Sequence, residues 1–263
     1  TGTGKTYASA FAMRELGFRR VLFLVHRNQI AKQAKKSFRK VFSGQVSMGL
    51  VTGKYQEYDK DFIFATIQTL SKDENLHRYE KNTFDAIVID EAHHSAANSY
   101  KKVLEYFEPK LWLGMTATPD KRDDNLEGRN IYEIFNHQIA YEIRLQQAME
   151  EELLCPFHYF GITDLSVVQD TKLKNLSHEE FNKLICDERV EHILEQANYY
   201  GYSGERVKGL VFCSRKQECQ QLSAKFNDLG YRTVALSGDD SEEIRQNAFE
   251  RLAMDEENAT DKE

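Results

Sequence analysis

The stretch FDAIVIDEAHH, Phe84 to His94, runs an unbroken apolar segment, Ala86 to Ile89, into two adjacent carboxylates, Asp90 and Glu91. A short apolar run without polar alternation reads as a strand buried on both faces, the condition of a parallel sheet covered by helices. Ligands of such sheets collect at the carboxyl ends of the strands. The acid pair is delivered to that place. There Asp90 can hold Mg²⁺, directly or through water, and Glu91 can orient and deprotonate an attacking water. The competing reading is an acidic helix start, since carboxylates are favoured at helix N-termini. His93 and His94 follow, but no spaced Cys/His set accompanies them, so no metal role is expected of the histidines.

A metal–phosphate reading needs a phosphate loop, and the first residues supply half of one. TGTGKT, Thr1 to Thr6, carries the end of the pattern G-x-x-x-x-G-K-[ST] in Gly4, Lys5 and Thr6, while the first glycine of the pattern would fall before residue 1. A backbone turned at Gly2, Thr3 and Gly4 points successive N–H groups at phosphate oxygens, at the positive end of a helix that starts near Lys5. Lys5 would meet the β and γ phosphates of ATP, and the Thr6 hydroxyl would coordinate Mg²⁺. Alone, these residues also read as a flexible Gly/Thr terminus. The acid pair downstream lends them weight.

Around these motifs the chain alternates. KTYASAFAMREL reads as a helix, RRVLFLV as a buried strand, NQIAKQAKKSF as a helix with a basic outer face, and VSMGLV, FIFATI and LWLGMTAT as further strands. The fold expected is α/β, with a parallel sheet covered on both faces. Beyond Pro119 come a polar turn, a helix, a strand QIAYEI (Gln138 to Ile143), another helix, and an apolar segment, Pro156 to Ile162, leading into a second domain. That domain should hold a helix from His178 to Tyr200 and a strand VKGLVFC, Val207 to Cys213.

A weak repeat supports two similar halves. VLFLVHRNQIAKQAKKSF and KGLVFCSRKQECQQLSAKF align without gaps, setting Leu22 on Leu210, Arg27 on Arg215 and Phe38 on Phe226. Chance agreement between two amphipathic helices is the alternative. Ser214 with Gln217 makes a capping box that starts the second helix.

Composition narrows the class. The chain has 263 residues, 41% of them hydrophobic and 29% charged, enough for two α/β domains each with a core. Its net charge of −7 does not advertise a nucleic-acid binder, so any such contact must be local. Arg27, Lys32, Lys35, Lys36, Arg39 and Lys40 form a basic cluster, but helical spacing spreads them over more than one side, and only Arg27 is expected to touch phosphate. No apolar run reaches the ~18 residues of a membrane span, and no signal peptide precedes the first motif. Cys155, Cys186, Cys213 and Cys219 form no C-x-x-C pair, which suits reduced thiols and a cytoplasmic location.

Taken in order, GKT, DEAH at Asp90 to His93 and TATP at Thr116 to Pro119 resemble motifs I, II and III of superfamily 2 helicases and translocases. HRNQIAKQ at His26 is similar to motif Ia, ATIQTL at Ala65 to a motif Ib-type element, and FCSR at Phe212 to motif IV. The doubled histidine and TATP look more like the restriction-enzyme and excision-repair type of DNA translocase than like DEAD-box RNA helicases. The resemblance implies two RecA-like domains in tandem, residues 1–154 with the ATP site and 155–263 with the first part of the second domain. It implies that His93, Thr116 and Thr118 couple the nucleotide site to the domain interface, and that Arg27, Thr66, Gln68 and Arg215 lie along a nucleic-acid backbone, DNA before RNA. Motifs V and VI have no counterpart, so the chain is expected to be an excerpt of a longer motor, cut at both ends, with further domains in its parent. The alternatives are a nucleotide-gated binding module that does not translocate, and an RNA helicase.

Overall fold

Five apolar runs pair into one parallel sheet: β1 (Val21–Val25), β2 (Met48–Val51), β3 (Phe62–Thr66), β4 (Ala86–Asp90) and β5 (Leu111–Met115), in the order β2-β3-β1-β4-β5. This computed structural model describes residues 2–92, 98–118, 131–162, 187–202 and 207–254. His93, His94, Pro119, the turn at 120–124, Cys186 and the first part of the helix expected from His178 lie outside the described residues. Helix α1 (Lys5–Glu15) precedes β1, α2 (Asn28–Phe42) lies between β1 and β2, α3 (Ile67–Leu70) and α4 (Asp73–Leu76) between β3 and β4, and α5 (Asn98–Tyr106) between β4 and β5. All five residues of β1 are buried, because the strand has a neighbour on each edge and helices over both faces.

Side chains alternate across the sheet. Val21, Phe23 and Val25 face a core closed by Ala10 and Met13 of α1 and by Ala31, Ala34 and Phe38 of α2. Phe38 stands edge-on to Phe23 at 5.4 Å and to Phe64 at 5.2 Å, a favoured geometry for aromatic pairs. Leu22 and Leu24 face the second core, with Ile67 and Leu70 of α3 and Tyr100 and Val103 of α5.

Polar ties fix the strands at their amino ends. Asp85, just before β4, accepts the N–H groups of Arg19 and Arg20, each at 3.0 Å, and the Lys110 ammonium at 2.7 Å. One carboxylate thus gathers the starts of β1, β4 and β5. At the sheet's β2 edge the chain folds back on itself. Glu57 N–H donates to the Leu50 carbonyl at 2.9 Å, Leu50 N–H donates to the Glu57 carboxylate at 2.8 Å, and Gln56 bridges Val51 in antiparallel sense. Gly49 belongs to this closure, since a Cβ there would meet the Glu57 carbonyl oxygen at 2.4 Å.

The chain divides into two units, Thr1–Phe157 and His158–Glu263. The first continues through α6 (Ile131–Ile134) and α7 (Leu145–Glu150). The strand expected at QIAYEI is not formed: residues 138–144 are irregular, and Ile139 and Tyr141 are exposed. The second unit holds α8 (Asp187–Tyr200), α9 (Lys216–Asp228) and α10 (Glu242–Ala253), with Val190, Leu222 and Phe226 as its buried apolar cluster. The expected strand at Val207 to Cys213 is likewise irregular, with Leu210, Val211 and Phe212 exposed. A strand exists only where a neighbour completes its ladder, and neither segment has one among the described residues. The capping of α9 also differs from expectation. Glu218, not Gln217, reaches back to Ser214, accepting from its N–H at 2.9 Å and its hydroxyl at 2.8 Å. Gln217 is exposed, whereas Glu218 is buried and also meets Arg189 at 3.5 Å.

Candidate functional site

The strand register brings the sequence-predicted residues of the first unit to one rim. Val25 pairs with Thr66, Leu24 with Ile89, and Asp90 with Met115, so His26 and Arg27, Thr66, the Asp90–Glu91 pair and Thr116 all emerge at the carboxyl ends of neighbouring strands. Adjacent strands are ~4.8 Å apart, which makes these residues neighbours across the rim.

The helix after the glycines reaches the same rim. The turn at Gly17 and Phe18 leads straight from the end of α1 into β1, so α1 runs antiparallel to the strand. Its 11 residues rise ~16 Å, about the length of a five-residue strand, which lifts its N-terminus to the carboxyl-end side. Gly4 is the N-cap residue in left-handed conformation, φ 80°, and Gly2 has φ 87°. Both positions suit glycine because a Cβ disfavours that region. The first turn of α1 has neither a side-chain cap nor an acidic residue. Its N–H groups therefore form an anion-seeking end, with Lys5 and Thr6 half-buried beside it. Backbone donors, one ammonium and one hydroxyl here, with the Asp90 carboxylate at the end of β4, are groups that fit a triphosphate with Mg²⁺.

At the acid pair, Glu91 adopts φ 51°, uncommon for a residue other than glycine. Its N–H donates to Asp90 Oδ1 at 3.0 Å, folding the corner tightly. Both residues are half-buried. Behind them sits Tyr100, a residue that the sequence patterns did not single out. Burial, reinforced by the negative charge of Asp90 and Glu91, pushes its phenol up to about 12. The tyrosine falls at ordinary core spacing on its helix, and the only sign in the sequence was a polar tip on a position that must be buried.

At the other side of the rim, the Gln68 amide donates to His26 Nδ1 at 3.0 Å, and the Thr66 hydroxyl donates to that of Thr69 at 2.9 Å. Arg27 and Gln68 are exposed, whereas Thr66 is buried, which leaves its hydroxyl engaged within α3. Thr118 is exposed and its N–H donates to Thr116 Oγ1 at 3.1 Å. Arg215, the repeat partner of Arg27, is half-buried at the N-cap of α9 in the second unit. Much of the basic cluster of α2 is engaged locally. Lys35 pairs with Glu57 at 3.1 Å, Lys32 lies 5.3 Å over the Tyr55 ring, and hydrogen bonds with Ser37 and Lys40 hold the Tyr7 phenol below its usual value. Among the described residues, no cluster of three or more His, Cys, Asp or Glu could hold a metal by itself, and no helix is long and apolar enough to cross a membrane.

A glycine-turned helix start and an acid pair at the end of a parallel strand are the working parts of the P-loop nucleotide-binding class. Within it, residues 1–121 match the family of type III restriction enzyme res subunits, and the chain is similar to restriction-enzyme motor subunits and ATP-dependent helicases. IRC3 of Saccharomyces cerevisiae, which carries the name of an ATP-dependent helicase, is 27% identical over 273 residues, covering 96% of this chain and 38% of that protein. The endonuclease subunit of the type I restriction enzyme EcoAI of Escherichia coli is 27% identical over 252 residues, covering 84% and 30%. Among solved structures, the Hef helicase domain of Pyrococcus furiosus aligns over 87% of this chain and 48% of that one, at 21% identity and a TM-score of 0.46. The chain thus spans about a third of the length of these curated relatives.

Proposed function

We propose that this chain forms the nucleotide-driven part of an ATP-dependent helicase or translocase acting on DNA in the cytoplasm. The observation that carries this reading is the shared rim, where the anion-seeking start of α1, the Asp90–Glu91 pair and the exposed donors Arg27 and Gln68 lie on adjacent strand ends. When bound, Mg²⁺–ATP supplies a γ-phosphoryl group open to attack by water. The N–H groups around Gly2, Thr3 and Gly4 hold phosphate oxygens, and Lys5 neutralises charge on the β and γ phosphates. Thr6 Oγ1 and the Asp90 carboxylate hold the metal. Glu91 orients the water and takes its proton at the carboxylate. Thr116 and Thr118, with His93, transmit the state of the nucleotide from the end of β5. Arg27 and Gln68 of the first unit, and Arg215 of the second, meet nucleic-acid phosphates without reading sequence, whereas the buried and engaged Thr66 hydroxyl does not.

Holding ATP and hydrolysing it separate by mutation. In the full-length protein, Lys5→Ala should lose nucleotide affinity as well as rate, because Lys5 acts on the ground-state triphosphate. Glu91→Gln should keep ATP bound and lose turnover by ~10² or more. ATP affinity and turnover are measured for both, with DNA and RNA side by side. Near-normal hydrolysis by Glu91→Gln would remove the chemical centre of the motor reading. Unmutated protein that binds ATP without turning it over would make the chain a nucleotide-gated binding module instead.

A further inference from the structure

Tyr100 is 2% exposed, and its hydroxyl has no hydrogen-bond partner among the described residues. Buried hydroxyls are nearly always paired, and an unpaired one is destabilising. Phenylalanine would fill the same space without that loss, so packing alone does not account for the oxygen. The position of the ring says where the oxygen belongs. Tyr100 shares its core with Ile89 and Ala92, which bracket Asp90 and Glu91 in the chain, and with Ile67 and Leu70 of α3. Asp90 and Glu91 are the carboxylates whose charge the phenol feels, Asp90 the more strongly.

We propose that Tyr100 is a positioning residue for the acid pair, its buried hydroxyl being the donor that fixes the Asp90–Glu91 carboxylates, Asp90 first, when nucleotide engages. The inference rests on the ATP-hydrolysing reading of the site. The donor and acceptor roles follow from chemistry, because the phenol stays protonated at working pH and ionised carboxylates only accept. The corner itself can supply the motion. Glu91 sits at φ 51°, a region costly for a side-chain-bearing residue, and relaxation of that turn would shift the carboxylates relative to the fixed ring. The hydroxyl is unpaired in the resting geometry and is paired once the corner rearranges.

The test uses Tyr100→Phe in the full-length protein, with kcat, ATP affinity and melting temperature measured beside the unmutated protein and Glu91→Gln. A donor to a carboxylate predicts a fall in kcat of about tenfold or more, larger than the loss of ATP affinity, since hydrogen bonds to charged groups are the strong ones. The melting temperature should hold or rise, because an unpaired buried group has been removed. In the Glu91→Gln background the same change should cost far less, since groups acting as a unit are not additive. Unchanged kcat in Tyr100→Phe would overturn this inference alone. A lowered melting temperature with equal losses in kcat and affinity would also overturn it, leaving Tyr100 a packing residue. Absence of ATP turnover in the unmutated protein would overturn the motor reading and this inference together.

Discussion

Arg27 ends the turn after β1 and is the N-cap residue of α2, with extended backbone and an exposed side chain that caps nothing. Its carbonyl receives the Ala31 N–H at 3.1 Å, so the backbone is committed to the helix while the guanidinium is left to solvent. If that group grips a phosphate, Arg27→Ala in the full-length protein should weaken binding to all sequences about equally. The slope of log affinity against log salt should fall by roughly 0.7 to 0.9 for one lost contact. Titrations at several salt concentrations check this, and an unchanged slope would make Arg27 an ordinary surface residue. Residues of this kind were legible because their types are tied to backbone position: glycine where φ turns positive, acids where a strand ends. Glu91 in left-handed conformation was not legible, since that conformation comes from how the corner is held rather than from glutamate's own preference.

Asp85 shows what an element needs beyond its apolar run. Its hydrogen bonds hold it below the usual carboxylate range: burial pushes the other way, but Lys110 and the Arg19 and Arg20 N–H groups prevail. A depressed folded pKa contributes stability that is present above the unfolded value, about 3.9, and is lost as pH falls through the lower folded value. Asp85→Ala should therefore cost about 2 kcal/mol near neutral pH, from lost hydrogen bonds and unpaired N–H groups. The gap between variant and unmutated protein should close in acid. Denaturant melts at pH 7 and near pH 3 would show it, and a gap independent of pH would exclude the carboxylate's charge as the cause. The five strands of the sheet were legible because each apolar run finds a neighbour. QIAYEI and VKGLVFC carry similar residues without that neighbour, and residue preference cannot report a missing ladder. Glu218 displaced Gln217 at the start of α9 for a related reason, since an ionised acceptor with Arg189 beside it outcompetes a neutral amide facing solvent.

At the scale of the whole molecule, the described apolar packing is weighted toward the first unit, with two cores around its sheet against a cluster of three buried residues in the second. A parallel sheet of this kind carries a hazard, because an open strand edge can recruit a strand from another copy. The fold-back at Glu57 removes that opening at β2 by occupying both hydrogen-bonding directions of Leu50. Glu57→Ala deletes the acceptor of the Leu50 N–H and the partner of Lys35 while leaving the proposed nucleotide rim untouched. Light scattering should then rise with concentration and gentle warming, while freshly prepared dilute protein keeps its nucleotide affinity. Scattering identical to the unmutated protein would mean that the backbone bond from Glu57 to the Leu50 carbonyl closes the edge unaided. The carboxylate at position 57 would then govern how the protein behaves in a concentrated stock, a colloidal property set far from any chemistry it performs.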